Sequence, residues 1–428
     1  MNVGVYFPGF PQEAGGAFTF EQDLLTSLEA IAGESHHKFT LFFGNNSLLT
    51  EELDKENPGK LKRVFLEKQI NEGPARFARP TLLAGLKTAI KRKVNNKNCI
   101  TSETTHEKVE DPNGLFLKAC EEEDIEFIWF PTTIFRADDL VYIATSWDIP
   151  YIATVLDVQH RLQPWFPEVS QSGTWAYREF YYATYLRRAT YIITPNRVGM
   201  EEISFFYQIS LKRIRPLPHP TPNISTFPSN EKIDAVMQKY GISKGFLFYP
   251  AQFWAHKNHA NLLLALQLLR DKFNLSLHLV LTGSNQGNMD YIRELTCRLN
   301  LDDQVHFLGF VPREDLIALY RGAFVLTYIS LFGPENMPPL EAFASGCPVI
   351  ASNIAGAQEQ LGDAALLVNG TSPDEIAHAI KNLYENLHLR DSLIQKGIDR
   401  KDFTSMDFIR EVFGMLDEFE PIRRNWKK

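Results

Sequence analysis

Between Phe332 and Ile350 the chain reads Phe-Gly-Pro-Glu-Asn-Met-Pro-Pro-Leu-Glu-Ala-Phe-Ala-Ser-Gly-Cys-Pro-Val-Ile, a run that allows little besides a tight loop, a short helix and a buried strand in that order. The apolar stretch Phe324 to Ile329 before it reads as a strand. Gly333 and Pro334 end that strand, and Pro338 and Pro339 supply the fixed φ that a first helical turn tolerates. The helix is therefore expected to begin near Asn336, with Gly346 closing it and Cys347 to Ser352 making the next strand. Its free backbone amides near Asn336 and Met337, and its positive dipole end, then face the mouth of the preceding strand, a position suited to a diphosphate. Glu341, about one turn in, can accept hydrogen bonds from a diol such as the two hydroxyls of ribose. On these residues alone a plainer reading stays open, in which Pro-Pro-Leu-Glu only starts a helix and Glu341 complements its dipole.

The pattern continues through Ala355-Gly356 and Gly362-Asp363-Ala364-Ala365-Leu366-Leu367-Val368. As a whole it closely resembles the donor half of the retaining nucleotide-sugar glycosyltransferases of glycosyltransferase family 4, specifically over roughly residues 245 to 375 and more weakly before. The resemblance implies an α/β chain of GT-B type, two Rossmann-like doubly wound domains facing across a cleft. It implies that Glu341 holds the ribose and that the loop Gly333, Glu335, Asn336, Met337 and Pro338 holds phosphate and sugar. In His306-Phe307-Leu308-Gly309-Phe310-Val311-Pro312, the backbone at Val311 would pair with a uracil edge while Phe310 packs nearby, although hydrophobic packing alone also explains these residues.

A chain of 428 residues, 44% hydrophobic, can bury two cores. The expected division is an acceptor-side domain over 1–222, a donor domain over 223–405, and a terminal helix within 406–428 packing back on the first domain. Pro216 to Asn230 carries prolines too densely for helix or central strand and marks the linker. A net charge of −8 argues against a nucleic-acid partner. Cys99, Cys120, Cys297 and Cys347 lack metal-ligand or disulfide spacing, which suits a reducing cytoplasm. No secretory signal and no run near the ~20 apolar residues of a membrane span are read. Charge is nonetheless uneven: residues 60–98 hold eleven Lys or Arg against Glu67 and Glu72, a net +9 that leaves −17 elsewhere. Within it, Arg76 to Lys97 interleaves Phe77, Leu82, Leu83, Leu86 and Ile90 with cations. This reads either as a solvated helix face or as peripheral contact with the anionic inner face of a membrane or a lipid-diphosphate acceptor.

From the amino terminus, Asn2 to Phe7 is a strand followed by Pro8-Gly9-Phe10-Pro11 and then Gly15-Gly16, feeding a helix expected over Thr19 to Ile31. Two glycines without Cβ let backbone amides approach phosphate closely, and the resemblance points this loop across the cleft. Strands are expected at Phe39 to Phe43, Val64 to Glu67, Ile125 to Phe130, Tyr151 to Leu156 and Tyr191 to Thr194, an alternation with helices that argues for a parallel sheet. Ligands gather beyond the carboxyl ends of such strands, which singles out Pro131, Thr132 and Thr133, Asp157 and His160, and Pro195, Asn196 and Arg197. In the second half, Gly245 to Tyr249 is the first strand and Pro250 to His259 leads into a helix. Lys257, at that junction, can reach a diphosphate as a point charge. Leu277 to Thr282 is the next strand, turning at Gly283.

Three departures from the family pattern stand out. Leu156 occupies the place of the usual histidine, making His160, with Asp157, the substitute to test. Ala251-Gln252 stands where Gly-Arg is usual, leaving Lys257 and loop amides to stabilise the leaving group, with Gln252 as a hydrogen-bonding remnant. Gly333 stands where a glutamate is usual, and Glu335 and Asn336 are the nearest replacements. The reading is a retaining transferase moving a hexose, as from UDP-glucose, to a saccharide or glycolipid acceptor. Its catalytic set is His160, Asp157, Lys257 and Glu335, its donor set adds Gly15, Gly16, Gln252, Gly283, Phe310, Val311 and the loop to Glu341, and no cofactor beyond the donor is expected. No Asp-x-Asp occurs, so activity without a divalent metal is expected. A nucleotide-sugar binding protein that has lost transfer, and an epimerase on the same architecture, stay open. A dinucleotide dehydrogenase does not, since no Gly-x-Gly-x-x-Gly follows the first strand.

Overall fold

The computed structural model describes residues 1–44, 61–66, 112–133, 149–222, 224, 228–400 and 403–426. The basic stretch Arg76 to Lys97 lies outside them. Short runs of β-branched and aromatic residues, such as Tyr151–Thr154 and Tyr191–Thr194, are buried along their whole length, the pattern of strands covered on both faces in a parallel sheet.

The first sheet holds β1 (Asn2–Phe7), β2 (Lys38–Phe43), β3 (Lys62–Phe65), β4 (Phe127–Trp129), β5 (Tyr151–Thr154), β6 (Tyr191–Thr194) and β7 (Ile214–Pro216) in the order β3-β2-β1-β4-β5-β6-β7. The second holds β8 (Leu247–Pro250), β9 (Leu279–Thr282), β10 (Val305–Gly309), β11 (Val325–Tyr328), β12 (Val349–Ser352) and β13 (Ala365–Val368) in the order β10-β9-β8-β11-β12-β13. All their pairings are parallel. Chain direction across each sheet reverses once, between β1 and β4 and between β8 and β11, and a crevice opens at such a switch. β7 was not anticipated. Its Pro216 reads as linker in the sequence, but an edge strand tolerates a residue that cannot donate.

Seven helices bear on the site: α1 (Gly16–Ile31), α2 (Thr174–Tyr185), α3 (Arg197–Tyr207), α4 (His259–Phe273), α5 (Arg313–Gly322), α6 (Met337–Ser345) and α7 (Ser405–Arg423). α1 begins three residues before its expected start because Gly15, at φ +65°, turns the chain directly into it. α7 starts on a reciprocal cap between Thr404 and Asp407 and lies against the first domain. There Phe408 meets Phe20, Phe413 stacks on Phe39 at 5.2 Å, and Phe419 meets Phe127. Each buried aromatic of this kind contributes roughly 1.5–3 kcal/mol, enough to hold the end of the chain across the molecule. The second sheet has a separate core, centred on β8, β9, β11 and the inward face of α4.

Candidate active site

The site lies where the two switch points face each other. Gly16, at the start of α1, comes so close to α6 of the other domain that a Cβ placed on it would stand 3.2 Å from Met337 Cγ. The glycine loop and the amino end of α6 therefore meet, as the sequence suggests. α6 has Asn336 as its extended N-cap, Pro338 in its first turn, and Gly346 at φ +70° closing it. One detail differs. The Asn336 amide, expected to face a phosphate, donates instead to Gln360 Oε1 (3.1 Å), while Gln360 Nε2 donates back to the Asn336 carbonyl (2.8 Å).

Lys257 ends a single turn, Ala255–Lys257, and Asn258 follows at φ +61° as the N-cap of α4. The Asn258 Nδ2 group donates to the carbonyls of Ile329 (3.0 Å) and Gly370 (2.7 Å), which ties this turn to the end of β11. Lys257 Nζ donates to the Tyr328 hydroxyl at 2.7 Å and lies 5.2 Å from the centre of its ring. Tyr328 in turn donates to Asn336 Oδ1 at 2.9 Å, and Asn336 Nδ2 to the Gly333 carbonyl at 2.9 Å. Cation, phenol and amide thus form one chain from the exit of β8 to the loop before α6. Sequence reasoning missed Tyr328, whose partners lie 71 and 8 residues away. Its only local signal is a hydroxyl on the last residue of a strand that exits at the switch.

Gly333 explains its own departure from the family pattern. It sits at φ +106°, and a Cβ there would come 2.9 Å from Asn336 Oδ1, so any side chain would be strained and crowded. Asn336 fills the space a longer residue would need. Glu335 does not take over. Its Oε2 accepts the backbone N–H of His219 at 2.7 Å, and burial pushes its carboxyl up to about 8 against that hydrogen bond, so it is largely protonated at neutral pH.

Glu341 is partly buried on α6. It accepts a hydrogen bond from the Tyr320 hydroxyl at 2.7 Å, and burial holds its carboxyl above the usual range despite Tyr320 and the nearby Arg313. Arg313 also reaches Asp23 of α1 at 3.6 Å, a second link from the first domain to this corner. Gln252 Oε1 accepts from the Trp254 indole at 2.9 Å. Gly283, at φ +127°, has the Ala251 carbonyl 2.4 Å from where its Cβ would stand, so the turn after β9 can press against the loop after β8 only as glycine. Val311 is buried, and Phe310 is 45% exposed.

The first-domain expectations fare differently. Asp157 Oδ1 accepts from the Gln159 amide (2.9 Å) and from Arg178 (3.2 Å), so it caps a turn and carries an ion pair. His160 is fully enclosed. Its Nε2 faces the Tyr207 hydroxyl (3.0 Å) and Glu179 (3.3 Å), and burial, with Arg178 nearby, pushes the imidazole down to about 4. Enclosed among side chains of its own domain, with Nδ1 left without a partner among the described residues, the ring exposes no atom to the crevice, unlike the substitute for a substrate-facing histidine that the sequence suggests.

Further contacts cross between the domains. The His256 amide donates to Glu168 Oε1 at 2.9 Å and their side chains also pair, while within the second domain the His256 ring stacks on Phe332 at 3.7 Å. The Arg197 amide, at the start of α3, donates to Glu359 (3.1 Å), and Asn196 Nδ2 donates to the Pro334 carbonyl (2.9 Å).

Against solved structures the chain superposes along nearly its whole length. A glycosyltransferase from Rickettsia africae matches with a TM-score of 0.67 and 16% identity over 99% of both chains. Anabaena HepE in complex with UDP-glucose matches with a TM-score of 0.68 and 15% identity over 98% of this chain and 100% of that one. The fold is GT-B. Within this GT-B chain, residues 232–400 match the family model Glycosyl transferases group 1. Among curated proteins, the Escherichia coli O-antigen chain mannosyltransferase B is 33% identical over 153 residues, 35% of this chain and 40% of that protein. The Salmonella typhimurium O-antigen chain mannosyltransferase RfbU is 26% identical over 262 residues, 61% of this chain and 69% of that one. The chain thus spans well under half the length of the first of these relatives.

Proposed function

We propose that this GT-B chain is a retaining glycosyltransferase that moves a hexose from a nucleotide diphosphate to a saccharide or lipid-linked acceptor in polysaccharide synthesis. The observation that carries the reading is the convergence of the Gly15-Gly16 loop on Met337, beside the Lys257–Tyr328–Asn336 chain, at facing switch points. When the anomeric C–O bond breaks, its electron pair leaves on the diphosphate. The Lys257 ammonium and the amides of Gly16 and Met337 stabilise that charge, and Glu341 holds the ribose diol. The acceptor hydroxyl then adds on the face the diphosphate has left, its proton passing to the departing phosphate oxygen. The resemblance favours glucose as the hexose, and the names of the curated relatives favour mannose. Parallel assays of nucleotide release from UDP-glucose and GDP-mannose, with and without acceptor sugars, test the reading, and release from neither overturns it.

The same reading includes activity without a divalent metal, which EDTA abolishing turnover would contradict. Peripheral contact of the 60–98 segment with an anionic membrane on the cytoplasmic side belongs to it too. Liposome flotation showing no preference for anionic lipid would remove that part. Among the described residues no helix is long and apolar enough to cross a membrane. A binding protein that has lost transfer is favoured by one specific feature, the bare Gly333 with Glu335 turned onto His219. Titration showing donor binding, with no turnover under any acceptor, selects that reading.

A further inference from the structure

After β5 the chain crosses to the second domain through residues 163–170 and is pinned there along most of its length. Gln163 Nε2 donates to the Leu331 carbonyl at 2.9 Å, and Phe166 packs edge-on against Phe332 (5.5 Å) and His256 (6.2 Å). Glu168 accepts the His256 amide, Val169 is buried, and Ser170 Oγ donates to the Phe166 carbonyl at 2.8 Å. Between these anchors Trp165 is left 70% exposed. Its indole N–H has no partner among the described residues, whereas those of Trp175 and Trp254 bond to the His160 carbonyl and Gln252.

Its place is specific. Leu331 and Phe332 run directly into Gly333, and His256 directly precedes Lys257, so both contacts that hold the Trp165 segment adjoin the donor chain already described. Isolated exposed apolar residues are ordinary on a protein surface, but this one combines the largest apolar ring, tilted 6.3 Å from that of Phe166, with flanking residues Gln163, Phe166 and Glu168 that are held on the second domain. Ordering that a ligand would otherwise have to impose is already in place, so contact with the ring costs little conformational entropy. A flat π face with one N–H donor at its edge matches a pyranose, which offers a face of C–H bonds ringed by hydroxyls.

We infer that Trp165 is the stacking platform for a pyranose ring of the acceptor saccharide, an inference that rests on the transferase reading. The test uses the full chain and its Trp165→Ala and Trp165→Phe variants, with UDP saturating. Each is titrated with methyl α-D-mannopyranoside and methyl α-D-glucopyranoside and followed by saturation-transfer NMR and indole fluorescence. The native protein should bind at least one glycoside with a change in emission. The alanine variant should lose that change and bind about tenfold more weakly, the phenylalanine variant should fall between, and UDP affinity should be the same in all three. Glycoside affinity indifferent to the alanine change, or no glycoside binding by the native protein at high millimolar concentration, overturns the inference. So does a loss of UDP affinity, which would give the ring to the donor, or a loss of vesicle binding with glycoside binding intact, which would give it to a lipid surface. If neither UDP nor GDP binds the native protein, the transferase reading falls, and if GDP alone binds, the titrations are read with GDP saturating. If UDP binds and only the glycoside results are contrary, the platform alone falls.

Discussion

Beyond β5 the polar side chains of the first domain close on one another, whereas beyond β8 and β11 those of the second form a chain that ends on the loop before α6. Asp157 is taken by a turn and Arg178, and His160 by Tyr207 and Glu179. Lys257, Tyr328 and Asn336 are instead linked in series at a helix amino end approached by Gly16. The first arrangement turns its side chains onto one another, with His160 Nδ1 left without a partner among the described residues. The second links a cation, a phenol and an amide at a helix amino end, and on the proposed reading that is where the donor diphosphate lies, with the first domain contributing its glycine loop and the rim.

The comparison can be broken most sharply at Lys257. Lys257→Ala removes the ammonium expected to face the leaving group, and turnover should fall by about a hundredfold or more in a nucleotide-release assay. His160→Gln should do the reverse. It takes the imidazole out of a cluster in which Tyr207 still donates to Glu179 (3.2 Å) and Glu179 still pairs with Arg161, and should lower stability by about 1–3 kcal/mol in denaturant titration, with turnover per folded molecule nearly unchanged. Gly333→Glu, which puts there the residue type usual in the glycosyltransferases that the sequence resembles, should cost about 1–3 kcal/mol through its φ of +106° and its collision with Asn336, rather than raise activity. Tyr328→Phe keeps the ring beneath the ammonium but removes the hydroxyl shared by Lys257 and Asn336. It should cost about tenfold in turnover on its own and nothing further in a Lys257→Ala background, since the phenol acts through the lysine.

A further test is a pH dependence. Glu335 has its carboxyl raised to about 8, so between pH 4.5 and 8 the folded chain holds a proton that the unfolded chain has released, and stability falls as pH rises through that window. Glu335→Gln should therefore unfold at a higher temperature than the native chain at pH 8.5 and at the same temperature at pH 4. Equal melting at both would show that this carboxyl is not buried as described.

Most of the second domain was legible because its site is local in sequence. The loop, the proline pair, Glu341 and the αL Gly346 all fall within Phe332 to Ile350, and observed α6 and β12 lie within a residue or two of their expected bounds. Tyr328 was not legible, because a strand-end tyrosine acquires meaning only when Lys257 folds over it. The interdomain use of Glu335 was hidden likewise, its partner His219 lying 116 residues back. In the first domain the strand exits were read correctly as positions. Position does not decide which way a side chain faces, and His160 fell inward because Tyr207 and Glu179, on helices packed behind β5, offer it hydrogen bonds there. The three-residue β7 escaped notice because an edge strand ending in proline has the composition of a linker.

The central claim is that Lys257 and Glu341 serve one nucleotide sugar in the crevice between the domains. Isothermal titration of UDP and of GDP into the native chain and into the Lys257→Ala and Glu341→Ala variants tests it most directly. Binding to the native chain, weakened about tenfold or more by each substitution, is the predicted result. Binding that neither substitution alters would place the nucleotide elsewhere and contradict the account.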